Sequence, residues 1–383
     1  MVNSKKIIFN KPYQSSQSIK FINNAIKRKT ISGNGFYTEK CHNFFKKKYG
    51  FKSCYLTTSC TDALEMVAIL INTNKNDEII MPSFSFVSTA NAFLMRGASI
   101  KFADSNQYNP NIDVRKIESL INKKTKAILV VHYAGFACDM ENLKNLALKY
   151  NLYLIEDCAH AIDSYLHEKP LGSYGDFSAF SFHDTKNITS GEGGLLVINN
   201  KKFTKRAEII REKGTNRTAF FRGAIKKYTW VDIGSSFLAS DLTAAFLYGQ
   251  LLSLNKIQKK RVKIFNLYYT VLSKSIYFKK KYTLPNINKN LKINGHCFYL
   301  VTKSKLIRDE LLKTLEKEKI QALSHYIPLH SSPFYKNKHG KRSLPNCDRF
   351  SETILRLPIH FYLSNDDVKK ILKVILKFFE FNG

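Results

Sequence analysis

Between Leu56 and Ile198 the chain repeatedly switches between short apolar runs and longer segments whose apolar residues recur at helical spacing. Glu78–Pro82, Ser99–Ala103, Lys126–His132, Leu152–Ile155, Phe177–Phe182 and Gly194–Ile198 read as strands. A helix-like segment from Asp62 to Ile71 and another from about Met140 to Tyr150, with Asp139 placed as its N-cap, separate the earlier strands. Runs this short and this apolar are buried on both faces, so the alternation predicts an α/β fold with a mainly parallel sheet covered by helices on each side. Beyond about Leu251 the pattern changes to a long Lys-rich helix, a strand near Cys297–Val301 and a closing amphipathic helix from Asp366 to Phe379. We therefore expect a large domain over residues 1–250 and a smaller C-terminal α/β domain over residues 251–383, a division in keeping with a chain of this length.

An open parallel sheet binds ligands beyond the carboxyl ends of its strands, so the polar residues directly after each apolar run are the candidates. Glu156-Asp157-Cys158-Ala159-His160 follow one run, His183-Asp184-Thr185-Lys186 follow another, and Thr58-Ser59-Cys60-Thr61 open a helix. An acid, a lysine and a set of amide and hydroxyl donors are what pyridoxal 5′-phosphate requires. Its aldehyde bonds to an amine, its pyridine nitrogen pairs with a carboxylate, and its phosphate takes backbone and hydroxyl donors. Lys186, Asp157, and Ser59, Cys60 and Thr61 with Ser181 can fill these roles, although each residue taken singly is as well read as a surface lysine or a helix cap.

The run Phe180-Ser181-Phe182-His183-Asp184-Thr185-Lys186-Asn187, followed by Gly191-Glu192-Gly193-Gly194, resembles the cofactor-lysine signature of the DegT/StrS-type sugar-nucleotide aminotransferases, a branch of the fold-type I pyridoxal-phosphate enzymes. The likeness extends to Pro82–Phe93, His132-Tyr133-Ala134-Gly135, Arg211–Arg217, Tyr228-Thr229-Trp230 and His325–His330. It implies that Lys186 bonds to the cofactor and moves the proton between the amino-acid α-carbon and C4′, and that Asp157 pairs with the ring nitrogen. It places Phe86 on one ring face, with an ordinary core phenylalanine as the alternative, and Ala159 on the other. It further places His160 beside the phenolic oxygen and Ser181 with the Cys60 and Thr61 amides at the phosphate. Ser236 falls where many relatives carry an asparagine reaching the phosphate from a second subunit, a departure from the pattern. Arg222, Trp230, Tyr326 and His330 are candidate substrate contacts or structural residues. Glu192 stays outside the catalytic set, because Gly191-Glu192-Gly193-Gly194 reads as a tight bend after the lysine loop.

The resemblance implies amino transfer from L-glutamate, by way of pyridoxamine 5′-phosphate, to C4 of dTDP-4-keto-6-deoxy-D-glucose, giving dTDP-4-amino-4,6-dideoxy-D-galactose. Another nucleotide keto sugar or the gluco epimer is the alternative, and a homodimer with shared active sites is the implied assembly. Charge raises a rival from another class. The 61 Lys and Arg against 30 Asp and Glu leave a formal charge of +31, which suits a nucleic-acid-binding or regulatory protein that keeps the fold without catalysis. The basic runs, such as Lys46–Lys48 and Lys279–Lys281, are dispersed, which favours a solvated surface and no nucleic-acid partner, with a field that attracts anionic nucleotide sugars. Seven cysteines without a C-x-x-C pair predict reduced thiols in a cytoplasmic protein and no metal site, and no apolar window is long enough to predict a signal peptide or membrane span.

Overall fold

The computed structural model describes residues 6–340 and 342–381. Its main sheet is built from β1 (Ser53–Thr57), β2 (Glu78–Pro82), β3 (Ser99–Ala103), β4 (Thr125–Val131), β5 (Tyr153–Asp157), β6 (Phe177–Ser181) and β7 (Gly194–Ile198). The spatial order is β1-β7-β6-β5-β4-β2-β3. The four pairings from β6 across to β3 are parallel, whereas β7 runs antiparallel to both β6 and β1. The mainly parallel α/β architecture read from the apolar runs is therefore the one observed. Strand bounds agree within two residues, and Asp139 caps its helix by accepting from the Asn142 amide.

Strand alternation sorts the sheet side chains into two cores. Ile79, Met81, Leu129, Val131 and Ile155 pack on one face with the helix Cys60–Leu70, while Ile80, Ile128, Val130 and Leu154 pack on the other with the helix Met140–Lys149. The first of these cores continues into a second, antiparallel sheet of β8 (Tyr282–Thr283), β9 (Phe298–Thr302) and β10 (Ile354–Leu357), backed by the helices Leu254–Ser273 and Asn365–Phe381.

The glycines after the lysine loop do two different jobs. Gly191 has φ +80° and open space around its missing Cβ, so it supplies the expected bend. Gly194 belongs to strand β7, where a Cβ would lie 2.3 Å from the Ser59 carbonyl carbon and 2.5 Å from the Cys60 nitrogen. Its role is a close backbone approach of β7 to the first turn of the helix Cys60–Leu70. The reading of the whole pattern as a bend is corrected for this position.

The two sites predict different losses. Gly191→Ala should cost about 1 kcal/mol of unfolding free energy from backbone strain alone, whereas Gly194→Ala should cost about 1–3 kcal/mol because neighbouring backbone must shift. Urea unfolding of the two variants side by side checks the order, and a larger loss at position 191 would contradict it.

Candidate active site

The carboxyl ends of the parallel strands open into a cavity of about 550 Å³. At one wall the helix Cys60–Leu70 starts, with Ser59 as its N-cap accepting a hydrogen bond from the Asp62 amide through its side chain at 3.0 Å. The Ser59 carbonyl accepts from Thr57 Oγ1 at 2.7 Å. Cys60 and Thr61, the first two residues of the helix, have amides with no carbonyl four residues back to bond, so this end of the helix presents donors and a positive dipole. Ser181 stands at the end of β6 on the same cavity.

Asp157 closes β5 and is 4% exposed. One carboxylate oxygen accepts from Thr89 Oγ1 at 2.8 Å and the other from the Ala159 amide at 3.0 Å. Burial pushes its pKa upward, while the Ala159 and Thr89 donors and the nearby Lys186 charge oppose that rise. A carboxylate offers about four acceptor positions, so these two donors leave room for one more, and a cationic N–H is the partner that burial favours most. The preceding Glu156 points away from this role. Its oxygens are engaged by His132 Nε2 and by the Gly172, Tyr174 and Gly175 amides.

Lys186 follows β6 in a turn closed by its own amide donating to the His183 carbonyl at 3.0 Å. The side chain is half-buried and lines the cavity. Loss of water pulls its pKa below the ordinary lysine value, with the Cys60 thiol and Asp157 carboxylate opposing, so the amine loses its proton more readily than a surface lysine.

His160 accepts from the Ala134 amide at Nδ1, 3.2 Å away. Burial, together with the Lys186 and Arg356 charges, holds its pKa well below the usual value. A neutral ring that accepts at Nδ1 carries its proton on Nε2, and this nitrogen lies 3.4 Å from Tyr326 Oη. Phe86 is 57% exposed and lines the cavity 6.2 Å from the Tyr326 ring, so it is not a core phenylalanine.

Ser59, Cys60, Thr61, Phe86, Asp157, Ala159, His160, Ser181, Lys186 and Tyr326 are thus brought to one cavity. The remaining candidates lie outside it in the single chain. Arg222 pairs with Glu208 at 2.6 Å, Trp230 is 81% exposed with its indole nitrogen donating to the Asp232 carbonyl, and Ser236 is exposed opposite Glu212. His330 is buried, with Nδ1 2.8 Å from Ser83 Oγ and Nε2 3.3 Å from Asp348, so both ring nitrogens are already engaged. Thr89 and Arg356 were not singled out as site residues from the sequence. Thr89 sits inside the Pro82–Phe93 motif without any local mark of its role. Arg356 carries a visible signal, a lone charge in the apolar run Ile354-Leu355-Arg356-Leu357.

The donor set fits pyridoxal phosphate: a buried acid short of partners, an amine of lowered pKa and a helix N-terminus share one cavity. Residues 12–376 match the DegT/DnrJ/EryC1/StrS aminotransferase family. The chain is 30% identical over 367 residues to GDP-perosamine synthase of Vibrio cholerae, covering 94% of this chain and 95% of that one. It is 29% identical over 365 residues to the UDP-4-amino-4,6-dideoxy-N-acetyl-beta-L-altrosamine transaminase of Campylobacter jejuni, covering 93% of each. Helicobacter pylori PseC, an aminotransferase involved in the biosynthesis of pseudoaminic acid, superposes with a TM-score of 0.89 at 27% identity over 98% of this chain and 100% of that one. Family, fold and donor set agree, and the chain is a pyridoxal-phosphate-dependent sugar-nucleotide aminotransferase belonging to the DegT/DnrJ/EryC1/StrS family.

Proposed function

We propose that this enzyme transfers the amino group of L-glutamate to C4 of dTDP-4-keto-6-deoxy-D-glucose, giving dTDP-4-amino-4,6-dideoxy-D-galactose for a cell-surface polysaccharide. The observation that carries the aminotransfer part of this reading is the meeting of Lys186, Asp157 and the Ser59–Thr61 helix start in one cavity. Pyridoxal phosphate, when bound, supplies the carbonyl that carries the amino group and a ring that withdraws electrons from the reacting carbon. Asp157 would hold the ring nitrogen protonated, since a buried carboxylate with only two donors gains most from a third that is positive. Lys186, once free, would take the proton from the donor α-carbon and deliver it on the other side of the exchange. Its lowered pKa suits an acid and base working near neutrality. His160 would offer its Nε2 proton to the phenolic oxygen, Ser181 with the Cys60 and Thr61 amides would hold the phosphate, and Phe86 and Ala159 would cover the ring faces.

Amination at C4 of a 6-deoxy sugar is supported by the 4-amino-4,6-dideoxy product in the name of the Campylobacter relative. The same relatives favour a second reading of the nucleotide, because one is named for a GDP sugar and the other for a UDP sugar. We also read the enzyme as a cytoplasmic homodimer with shared sites. Phe221, Trp230, Val231 and Ile233 leave an exposed apolar strip in the segment that carries Arg222 and Ser236, a surface suited to a second copy. All seven cysteines are free thiols, and among the described residues no helix is long and apolar enough to cross a membrane. The proposed division at 250/251 is supported by the confinement of the main sheet to residues 53–198 and of the second sheet to residues 282–357.

Lys186→Ala should abolish the lysine adduct trapped by borohydride and lower turnover by at least about 1000-fold. Asp157→Asn should keep the fold and lower turnover by roughly 100- to 1000-fold; normal turnover in either variant removes that residue from the site. Incubation with glutamate and a panel of dTDP-, GDP- and UDP-linked 4-keto sugars should give an amine from the dTDP sugar. Proton NMR should show a small H3–H4 coupling, since an axial amine leaves H4 equatorial. A large coupling would mean the gluco epimer, and product from another nucleotide alone would support the second reading. Sedimentation should give a dimer, and a fully active monomer would rule out a shared site.

A further inference from the structure

Besides Lys186, two arginines that none of these roles employs line the cavity, Arg261 and Arg356. Arg356 sits in the middle of β10, is 8% exposed and lines the cavity. Its Nε is buried with no hydrogen-bond partner. The other buried arginines are committed: Arg261 donates to the Gly295 and His296 carbonyls at 3.1 and 2.6 Å, Arg308 pairs with Asp309 at 2.6 Å, and Arg211 bonds the Asn34 side chain. Around Arg356 lie the Phe9 ring, 5.2 Å from the guanidinium carbon, the Cys297 thiol, and Tyr133 and Tyr326. Burial works against its charge, but a guanidinium holds its proton so strongly that Arg356 remains a cation at any working pH. Beyond the Cys297 side chain the guanidinium has no polar side-chain partner, and no carboxylate pairs with it among the described residues. A buried charge without a counter-ion is costly to a fold, and its persistence on a ligand cavity points to an anion that arrives with the substrate.

We propose that Arg356 anchors the α-carboxylate of the amino donor, an inference that rests on the transaminase reading above. Three anions visit such a site, and position separates them. The cofactor phosphate has its own donors at Ser59–Thr61 and Ser181. The diphosphate of a nucleotide sugar is held away from the reacting C4 by the width of the pyranose ring. The donor α-carboxylate is attached directly to the carbon whose proton Lys186 removes, so it must lie beside Lys186 during the reaction. Arg356 is near enough for its charge to depress the pKa of both Lys186 and His160. A guanidinium presents two parallel N–H groups that match a carboxylate in a bidentate pair, fixing the orientation of the α-carbon as well as its position. The same pair leaves Arg356 without a partner in the second half of the cycle, when the keto sugar has replaced the amino acid.

The test uses the holoenzyme and glutarate, a five-carbon dicarboxylate that lacks the amine and cannot react, with dTDP-glucose as the sugar-nucleotide probe. By calorimetric titration, Arg356→Gln should weaken glutarate roughly 10- to 100-fold and change dTDP-glucose affinity less than about twofold. Arg356→Lys, which keeps the charge and loses the fork, should fall between. The wild-type protein supplies an arm that does not depend on the folding of a variant. Phenylglyoxal should modify Arg356, and glutarate but not dTDP-glucose should protect it, as read by peptide mass spectrometry. Weakened dTDP-glucose with unchanged glutarate, equal loss of both, or protection by the nucleotide alone would overturn the assignment. Arg356-dependent glutarate binding in an enzyme that aminates no keto sugar would instead uphold the anchor and sink the proposed reaction.

Discussion

Asp157 is an acid that the fold strips of water and then supports with too few partners. Thr89 and the Ala159 amide supply two hydrogen bonds at the end of β5, and Thr89 is itself steadied by Ser85 Oγ at 2.8 Å. This is less than a carboxylate needs, so the deficit faces the cavity. Other features of the site are organised around that deficit. Lys186 stands close enough for Asp157 to favour its charged form, yet burial outweighs the attraction and lowers its pKa. The two groups therefore share a field without collapsing into a salt bridge that would occupy both.

Charge in the cavity is partitioned by environment rather than by residue type. His160 is held neutral first by its burial and then by the Lys186 and Arg356 charges, and its tautomer follows from one backbone hydrogen bond from Ala134. Arg356 stays charged in spite of its burial, because a guanidinium is too basic to release its proton. The helix start at Ser59–Thr61 contributes partial positive charge through its backbone amides. Backbone donors at Ser59–Thr61, the Asp157 carboxylate and the Arg356 guanidinium therefore give one enclosure regions of both signs.

The loops that carry the lysine and the histidine are tied to the C-terminal part of the chain by a buried polar network. The Asn187 amide donates to Gln258 Oε1 at 2.9 Å and to the Asn294 carbonyl at 3.0 Å, and its oxygen meets His296 Nδ1 at 2.9 Å. Asn294 donates in turn to the His160 and Ile162 carbonyls at 2.8 Å, while the His296 ring stacks on His160 with centroids 4.1 Å apart. Such a network rigidifies what it joins when every member is satisfied. It makes the geometry of Lys186 and His160 depend on residues about a hundred positions further along the chain.

Much of this was legible in the order of residues alone. Apolar runs of strand length, separated by helical spacing, are local properties of a chain, and they determined the parallel sheet and the ends at which Asp157, Lys186 and Ser59–Thr61 would stand. The Phe180–Asn187 run singled out Lys186 among 61 basic residues as one that would face the cavity. Which of the adjacent acids Glu156 and Asp157 would face the cavity could be named from the motif, but the engagement of Glu156 by three backbone amides could not. Only the tertiary structure brought Thr89 under Asp157, Gly194 against Ser59 and Arg356 into the cavity. The reason is physical. The strand order β1-β7-β6-β5-β4-β2-β3 and the docking of β10 near them are set by burial and pairing across long sequence separations, and no local periodicity carries that information.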